Sequence, residues 1–191
     1  LLRIIGEAGV GKNHNLQAAL DKYQNANSNA NIVKLTLGNA MDIDAFKTVV
    51  DAAAKKENTI LVLDELSAAP SFVLEYMNTA LAKDRSQLKV IATDNPASYQ
   101  GRETLSDALR NRSIEKHITE IRNAKDFLAV FAHNYYREEM QQLIRFHFNL
   151  LNNNKLQLSL RNIHNAQDML LTADMDQIVQ QIYGNYTDDA L

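Results

Sequence analysis

The 191-residue chain has no cysteine, which excludes disulfide cross-links and thiolate chemistry and is compatible with a reducing compartment. No apolar run approaches the roughly 20 residues that a membrane-spanning helix requires. No signal peptide is recognisable. The pattern Gly-x-Ser-x-Gly is missing, and so is any Cys/His pair, which sets the obvious nucleophilic hydrolases aside. No internal repeat is visible. The five histidines, His14, His117, His133, His147 and His164, have no metal-ligand spacing such as His-Glu-x-x-His. Neither sign of charge dominates. A net charge of −3 gives no support for non-specific nucleic-acid binding and leaves a local basic patch open. The length suffices for one sizeable core and a small second unit. Leu1 already lies in an expected strand and is not an initiator Met, so a longer polypeptide is expected.

What is present begins at once. Gly6-Glu7-Ala8-Gly9-Val10-Gly11-Lys12-Asn13 fits the phosphate-binding pattern G-x-x-x-x-G-K, with Asn13 where Ser or Thr belongs. It stands between an apolar run, 1–5, and an expected helix, 15–23. Glycines let the backbone wrap so that successive N–H groups face an anion. The helix adds its positive N-terminal end, and Lys12 adds a mobile ammonium for the β- and γ-phosphates. A tight glycine turn between strand and helix is the other reading of the loop taken alone. His14, at the helix start, can reach a ligand there or stand as a half-exposed helix residue.

The rest of the first two thirds alternates strand and helix. Strands are expected at 32–37, 60–63 and 88–92, and helices at 43–56, 70–82 and 106–112. The Asn-rich stretch 24–31 reads as a solvated loop. Ile60-Leu61-Val62-Leu63 is wholly apolar, as in a strand covered on both faces. The alternation in 114–121 suggests an edge strand. A parallel sheet with helices on both faces follows. Beyond residue 123 every segment reads as helical: 124–136, 137–151, 159–171 and 174–183, with a turn at 152–154. Phe127, Phe131, Tyr135 and the cluster 146–151 fall at helical spacing and read as core.

Two further motifs end strands. Asp64 and Glu65 follow the apolar run 60–63, and ligands in parallel sheets bind beyond the carboxyl ends of strands. Asp64 can orient Mg²⁺ and Glu65 can polarise an attacking water, on opposite sides of the strand. A plain charged strand end is the alternative. Asn95, before Pro96, can hydrogen-bond a water or a phosphate oxygen. An Asn-Pro turn explains it equally.

Together these stretches, with Leu66-Ser67-Ala68-Ala69-Pro70-Ser71 and the run from Ile91 through Arg102 to Arg112, resemble the AAA+ ATPases of the MoxR and midasin-like branch. The resemblance implies a P-loop α/β domain over 1–122 and an all-helical lid over 123–191. It implies ATP and Mg²⁺ as ligands. It makes Gly6 to Asn13 and His14 the nucleotide loop, and Asp64 with Asn13 the metal-facing pair. Glu65 becomes the catalytic carboxylate and Asn95 the sensor-1 residue. Arg112, or Arg110 as fallback, becomes the arginine finger that completes a neighbour's site, and Arg161 the lid arginine. An adenine-pocket segment would precede Leu1. Partners would be neighbouring AAA+ domains in a ring and a protein or ribonucleoprotein client, inside the cell and away from membranes. Two departures stand out: Asn13 replaces the hydroxyl residue, and Ser113 replaces the usual aromatic after the finger. Asn13 opens a second reading, a nucleotide-binding structural or switch module with little hydrolysis. Use of GTP is a third.

Overall fold

The computed structural model describes residues 1–82, 88–96, 103–119, 123–131, 138–154 and 159–184. Two compact units emerge from the contacts. The first holds Leu1–Glu7 and Gly11–Thr119; the second holds Ala8–Val10 and Glu120–Leu191.

The first unit is a five-stranded sheet in the order β2-β3-β4-β1-β5. Its strands are β1 (Leu2–Ile5), β2 (Asn31–Thr36), β3 (Thr59–Asp64), β4 (Lys89–Asp94) and β5 (Ile114–His117), all paired in parallel. Its helices are α1 (Lys12–Ala26), α2 (Ile43–Lys55), α3 (Ser71–Ala82) and α4 (Asp107–Asn111). Parallel strands need a crossover between each pair, and the strand–helix alternation of the sequence supplies them.

Strand β3 shows why the sheet is a middle layer. Leu61 and Leu63 point into one cluster, with Phe46, Val50, Val73, Met77 and Leu109. Ile60 and Val62 point the other way, into a cluster with Leu16 and Leu20 of α1. Alternate side chains of a strand face opposite sides, so a wholly apolar strand needs cover on both. Each such side chain contributes roughly 1.5–3 kcal/mol on burial. Helix α2 sets Phe46, Val50 and Ala53 on one buried stripe. The Asp42 carboxylate caps it by accepting the Ala45 N–H at 2.8 Å.

Several boundaries differ from expectation. Helix α1 starts three residues early, because Gly11 at φ 87° is already its N-cap. It also runs on to Ala26, into the Asn-rich stretch expected to be loop. The edge position of β5 is as expected, but all four of its residues are exposed, so the alternation there did not mark a buried face. The expected turn at 152–154 is helix.

The second unit contains α5 (Ala124–Phe131), α6 (Glu138–Asn154), α7 (Leu160–Met169) and α8 (Met175–Ile178), the last continued by a π-helical turn, Val179–Tyr183. Helix α6 overrides its terminal asparagines. Each asparagine costs only tenths of a kcal/mol in propensity, whereas the helix buries Met140, Leu143, Ile144, Phe148 and Leu150. Residues 132–137, which include His133 and Tyr135 of the expected helices, lie outside the described residues.

In this core His147 is fully buried, and its Nδ1 lies 3.1 Å from Tyr183 Oη. Its Nε2 has no hydrogen-bond partner among the described residues. Burial disfavours the imidazolium and lowers the His147 pKa to about 4; it raises that of the Tyr183 phenol. A histidine depressed in the fold is protonated first in the unfolded chain. Stability is therefore full above about pH 6.5 and is lost as pH falls toward 4, by roughly 3 kcal/mol at most. Urea unfolding from pH 7 to 4 should show that loss, and His147→Phe should flatten it. An equally steep profile in the variant would mean that other groups carry the dependence.

Candidate functional site

The register places the strand ends side by side. Ile5 pairs with Asp94 across β1 and β4, and β3 lies on the far side of β4. The chain leaving β1 enters the glycine loop at Gly6, that leaving β3 passes through Glu65, and that leaving β4 passes through Asn95. Three motifs far apart in sequence thus meet at one edge, because their strands are neighbours in the order β3-β4-β1.

The loop has the backbone its glycines anticipate. Gly9 and Gly11 have φ of 79° and 87°, the left-handed region that side chains disfavour. Gly6 is buried, and its N–H donates to Asp94 O at 3.2 Å. Val10 is buried, while Glu7, Ala8, Asn13 and His14 are exposed.

Lys12 opens α1 and turns back over the loop. Its Nζ donates to Gly6 O at 2.6 Å, Glu7 O at 2.9 Å and Asn95 Oδ1 at 2.8 Å. All three are uncharged oxygens, so an anion can take their place without breaking an ion pair. Burial lowers the Lys12 pKa from its ordinary value, against the opposing pull of the Asp64, Glu65, Asp94 and Glu7 carboxylates.

Asn13 sits one residue on. Its Nδ2 donates to Asp64 Oδ2 at 3.0 Å. The other carboxylate oxygen of Asp64 accepts from Thr93 Oγ1. A carboxamide has both a donor and an acceptor, as a hydroxyl does. With the donor on Asp64, Asn13 Oδ1 remains as a hard oxygen. Mg²⁺ takes one or two protein oxygens and completes its shell with phosphate and water. The Asp64 and Asn13 oxygens fit that need. Among the described residues no three His, Cys, Asp or Glu side chains cluster to hold a metal on their own. Asn13, Asp64 and Thr93 also line a cleft of about 200 Å³ that reaches Lys34 of β2.

Glu65 has φ 60° and ψ 53°, a left-handed conformation at a residue with a long side chain. Such a backbone costs of order 1–3 kcal/mol and persists only where the surroundings hold it. Its N–H donates to Thr93 Oγ1 at 3.4 Å, and its C=O accepts Ala68 N–H at 2.9 Å in a 3₁₀ turn, Leu66–Ala68.

The structure thus gathers Lys12, Asn13, Asp64, Glu65 and Asn95. Two arginines of the same unit, Arg112 and Arg110, are engaged elsewhere. Arg112 is exposed just past α4, with Nη1 donating to Asn78 Oδ1 and Ala108 O, each at 2.9 Å. Arg110 is exposed, 3.9 Å from Asp107. Arg161 is exposed on the first turn of α7, in the second unit. Residues 97–102 of the third motif lie outside the described residues.

Sequence reasoning missed four residues. Thr93 touches both acidic positions. Arg3, Asp94 and Ser67 form a buried polar cluster behind them: Arg3 Nη2 donates to Asp94 Oδ2 at 3.0 Å, and Ser67 Oγ donates to Asp94 Oδ1. A signal existed, since Arg3 is a charge within an apolar strand.

No family model matches the chain. Midasin of Dictyostelium discoideum is 35% identical over 91 residues, covering 40% of this chain and 2% of midasin. The solved structure of C. elegans PCH-2 superposes with a TM-score of 0.60 at 14% identity, over 100% of this chain and 61% of that one. The Thermotoga maritima RuvB Holliday junction branch migration motor gives 0.59 at 16% identity, over 98% and 61%. The chain therefore spans less than two thirds of each of these proteins, and only 2% of midasin. Sheet order, glycine loop and these superpositions agree: the chain has the P-loop NTPase fold of the AAA+ ATPases, a parallel sheet flanked by helices with further helices after it.

Proposed function

We propose that the chain binds Mg·ATP at the glycine loop and hydrolyses it, as one AAA+ module of a ring-shaped remodelling machine of the midasin-like kind. The observation that carries this reading is the Lys12 ammonium, which joins the loop carbonyls to Asn95 through uncharged, exchangeable partners.

Each residue has a role in this reading. The N–H groups from Gly6 to Asn13, with His14 at their margin, and the Lys12 ammonium hold the phosphates. Asp64, steadied by Thr93, and Asn13 face the metal, whose charge neutralises phosphate oxygens. Glu65 orients the attacking water and draws off its proton, and Asn95 positions that water or a terminal phosphate oxygen. Arg112 lies exposed, as a group that completes a neighbour's site must. A guanidinium supplied from a neighbour stabilises charge on the transferring phosphoryl group and ties the reaction to assembly. We assign residues 123–191 to a lid carrying Arg161. The neighbours are further AAA+ domains, in the same polypeptide or in other copies, and the client is a protein or ribonucleoprotein.

Asn13 favours a second reading, a nucleotide-dependent switch with little turnover. Its amide is bulkier than a hydroxyl and already engages Asp64, so the two residues would hold the metal less readily than a hydroxyl and a free carboxylate would. The base, adenine or guanine, is open in both readings, and titration with ATP and GTP, with and without Mg²⁺, separates them.

Glu65→Gln should lower turnover by about 100-fold or more while ATP still binds; unchanged turnover would remove Glu65 from the mechanism. Asn13→Thr separates the two readings. A rise of about tenfold or more in single-turnover rate identifies the switch, and brisk hydrolysis with Asn13 in place discards it. Arg112→Ala should leave ATP affinity unchanged and abolish any rise of specific activity with protein concentration. A rise that persists would exclude Arg112 as the group supplied to the neighbour.

A further inference from the structure

We propose that Arg3, Asp94 and Ser67 form a buried positioning relay that sets the Glu65 turn and Asn95 against the phosphate loop. Its consequence for catalysis rests on the function proposed above; its structural content does not.

Asp94 is the hub. It closes β4, is 1% exposed, and directly precedes Asn95. Its Oδ1 accepts from Ser67 Oγ, from Ser67 N–H at 3.3 Å and from Asn95 N–H at 3.1 Å. Its Oδ2 accepts from Arg3 Nη2 at 3.0 Å, and its backbone carbonyl accepts from Gly6 N–H at 3.2 Å. One residue therefore holds the first residue of the glycine loop, the turn that follows Glu65, and the backbone of Asn95. Arg3, 8% exposed, extends the network through Nη1 to Glu115 of β5 at 2.5 Å. Ser67 extends it the other way, its C=O accepting Glu103 N–H at 2.7 Å on the segment that leads to α4.

Stability alone is a poor reason for this cluster. A buried ion pair seldom outperforms apolar side chains of the same volume, because both charges lose their water. Here the Arg3 Nε is also buried without a partner among the described residues. What the cluster supplies is direction. Four hydrogen bonds to one carboxylate fix its oxygens, and those oxygens fix Ser67, two residues from a strained Glu65. Without the Ser67 tether, the left-handed turn at Glu65 can relax, and the carboxylate leaves its place beside the loop.

The test uses the full chain with Ser67→Ala, which deletes one hydroxyl, Ser67→Thr, which keeps it, and Asp94→Asn. Hydrogen exchange without nucleotide should speed up by about tenfold across Glu65–Ala68 and at Asn95 in Ser67→Ala, with residues 138–154 unchanged and Ser67→Thr close to wild type. With ATP, Ser67→Ala should keep nucleotide affinity within about threefold and lose about tenfold in kcat, again restored by Ser67→Thr. Unchanged exchange in the Glu65 turn overturns the relay. So does a uniform rise throughout the first unit, which would mark simple destabilisation; an unaltered kcat beside faster exchange overturns its catalytic consequence. If the wild-type chain binds no ATP, the nucleotide reading fails, and the exchange measurement still decides the relay. Asp94→Asn should show the same pattern more strongly; if it does not fold, Ser67→Ala carries the test.

Discussion

A single ammonium group bridges the chain's most separated motifs. Lys12 reaches back to two carbonyls of its own loop and across to Asn95, 83 residues away. That bridge exists only because β1 and β4 are paired neighbours with Ile5 opposite Asp94. A slip of register would carry Asn95 away from the ammonium and turn the strand's buried residues outward. The parallel pairing is thus what gives the glycine loop chemical company, and the apolar β3 is what the pairing rests on. Its two faces are sealed by α1 on one side and by α2, α3 and α4 on the other.

Behind this bridge lies a second layer of polar contacts that faces the protein interior. Thr93 serves Asp64 and Glu65, and Asp94 serves Ser67, Asn95, Gly6 and Arg3. Two consecutive residues of β4 therefore organise two sides of the site, since successive strand residues point opposite ways. The arrangement is costly in desolvation and specific in geometry. It suits a site whose acidic residue is held in a left-handed backbone that would not persist unaided. The helical unit spends its buried polar groups differently. His147 and Tyr183 meet within an aromatic cluster with Phe146 and Phe148, and burial there disfavours the charged histidine.

Much of this was legible in the sequence, for local reasons. Alternation of strand and helix predicted a parallel sheet, and the run Ile60 to Leu63 marked a strand covered twice. The spacing Gly6, Gly11, Lys12 announced the loop, and at Gly11, as at Gly9, the left-handed backbone is one that few other residue types tolerate. The acid pair at 64 and 65 was expected beside it on the rule that ligands gather at strand ends. Element boundaries were less legible. The asparagines at 152–154 read as a turn because propensity is local, while the apolar face of α6 that overrode them is a tertiary matter. The exposed strand β5 shows the converse, an alternating pattern with no buried face behind it.

The chain's own residue pattern determined the layered architecture and the chemistry carried at each strand end, because periodicity and glycine spacing act within a few residues. Only the tertiary structure decided which strand ends are neighbours. It turned the Asn13 amide toward Asp64, and it buried Arg3 against Asp94 across 91 residues of sequence. Such pairings depend on strand order and register. Those are set by the closing of the whole core; a single position can mark a residue as unusual, as the charge at Arg3 does, but not which residue it meets.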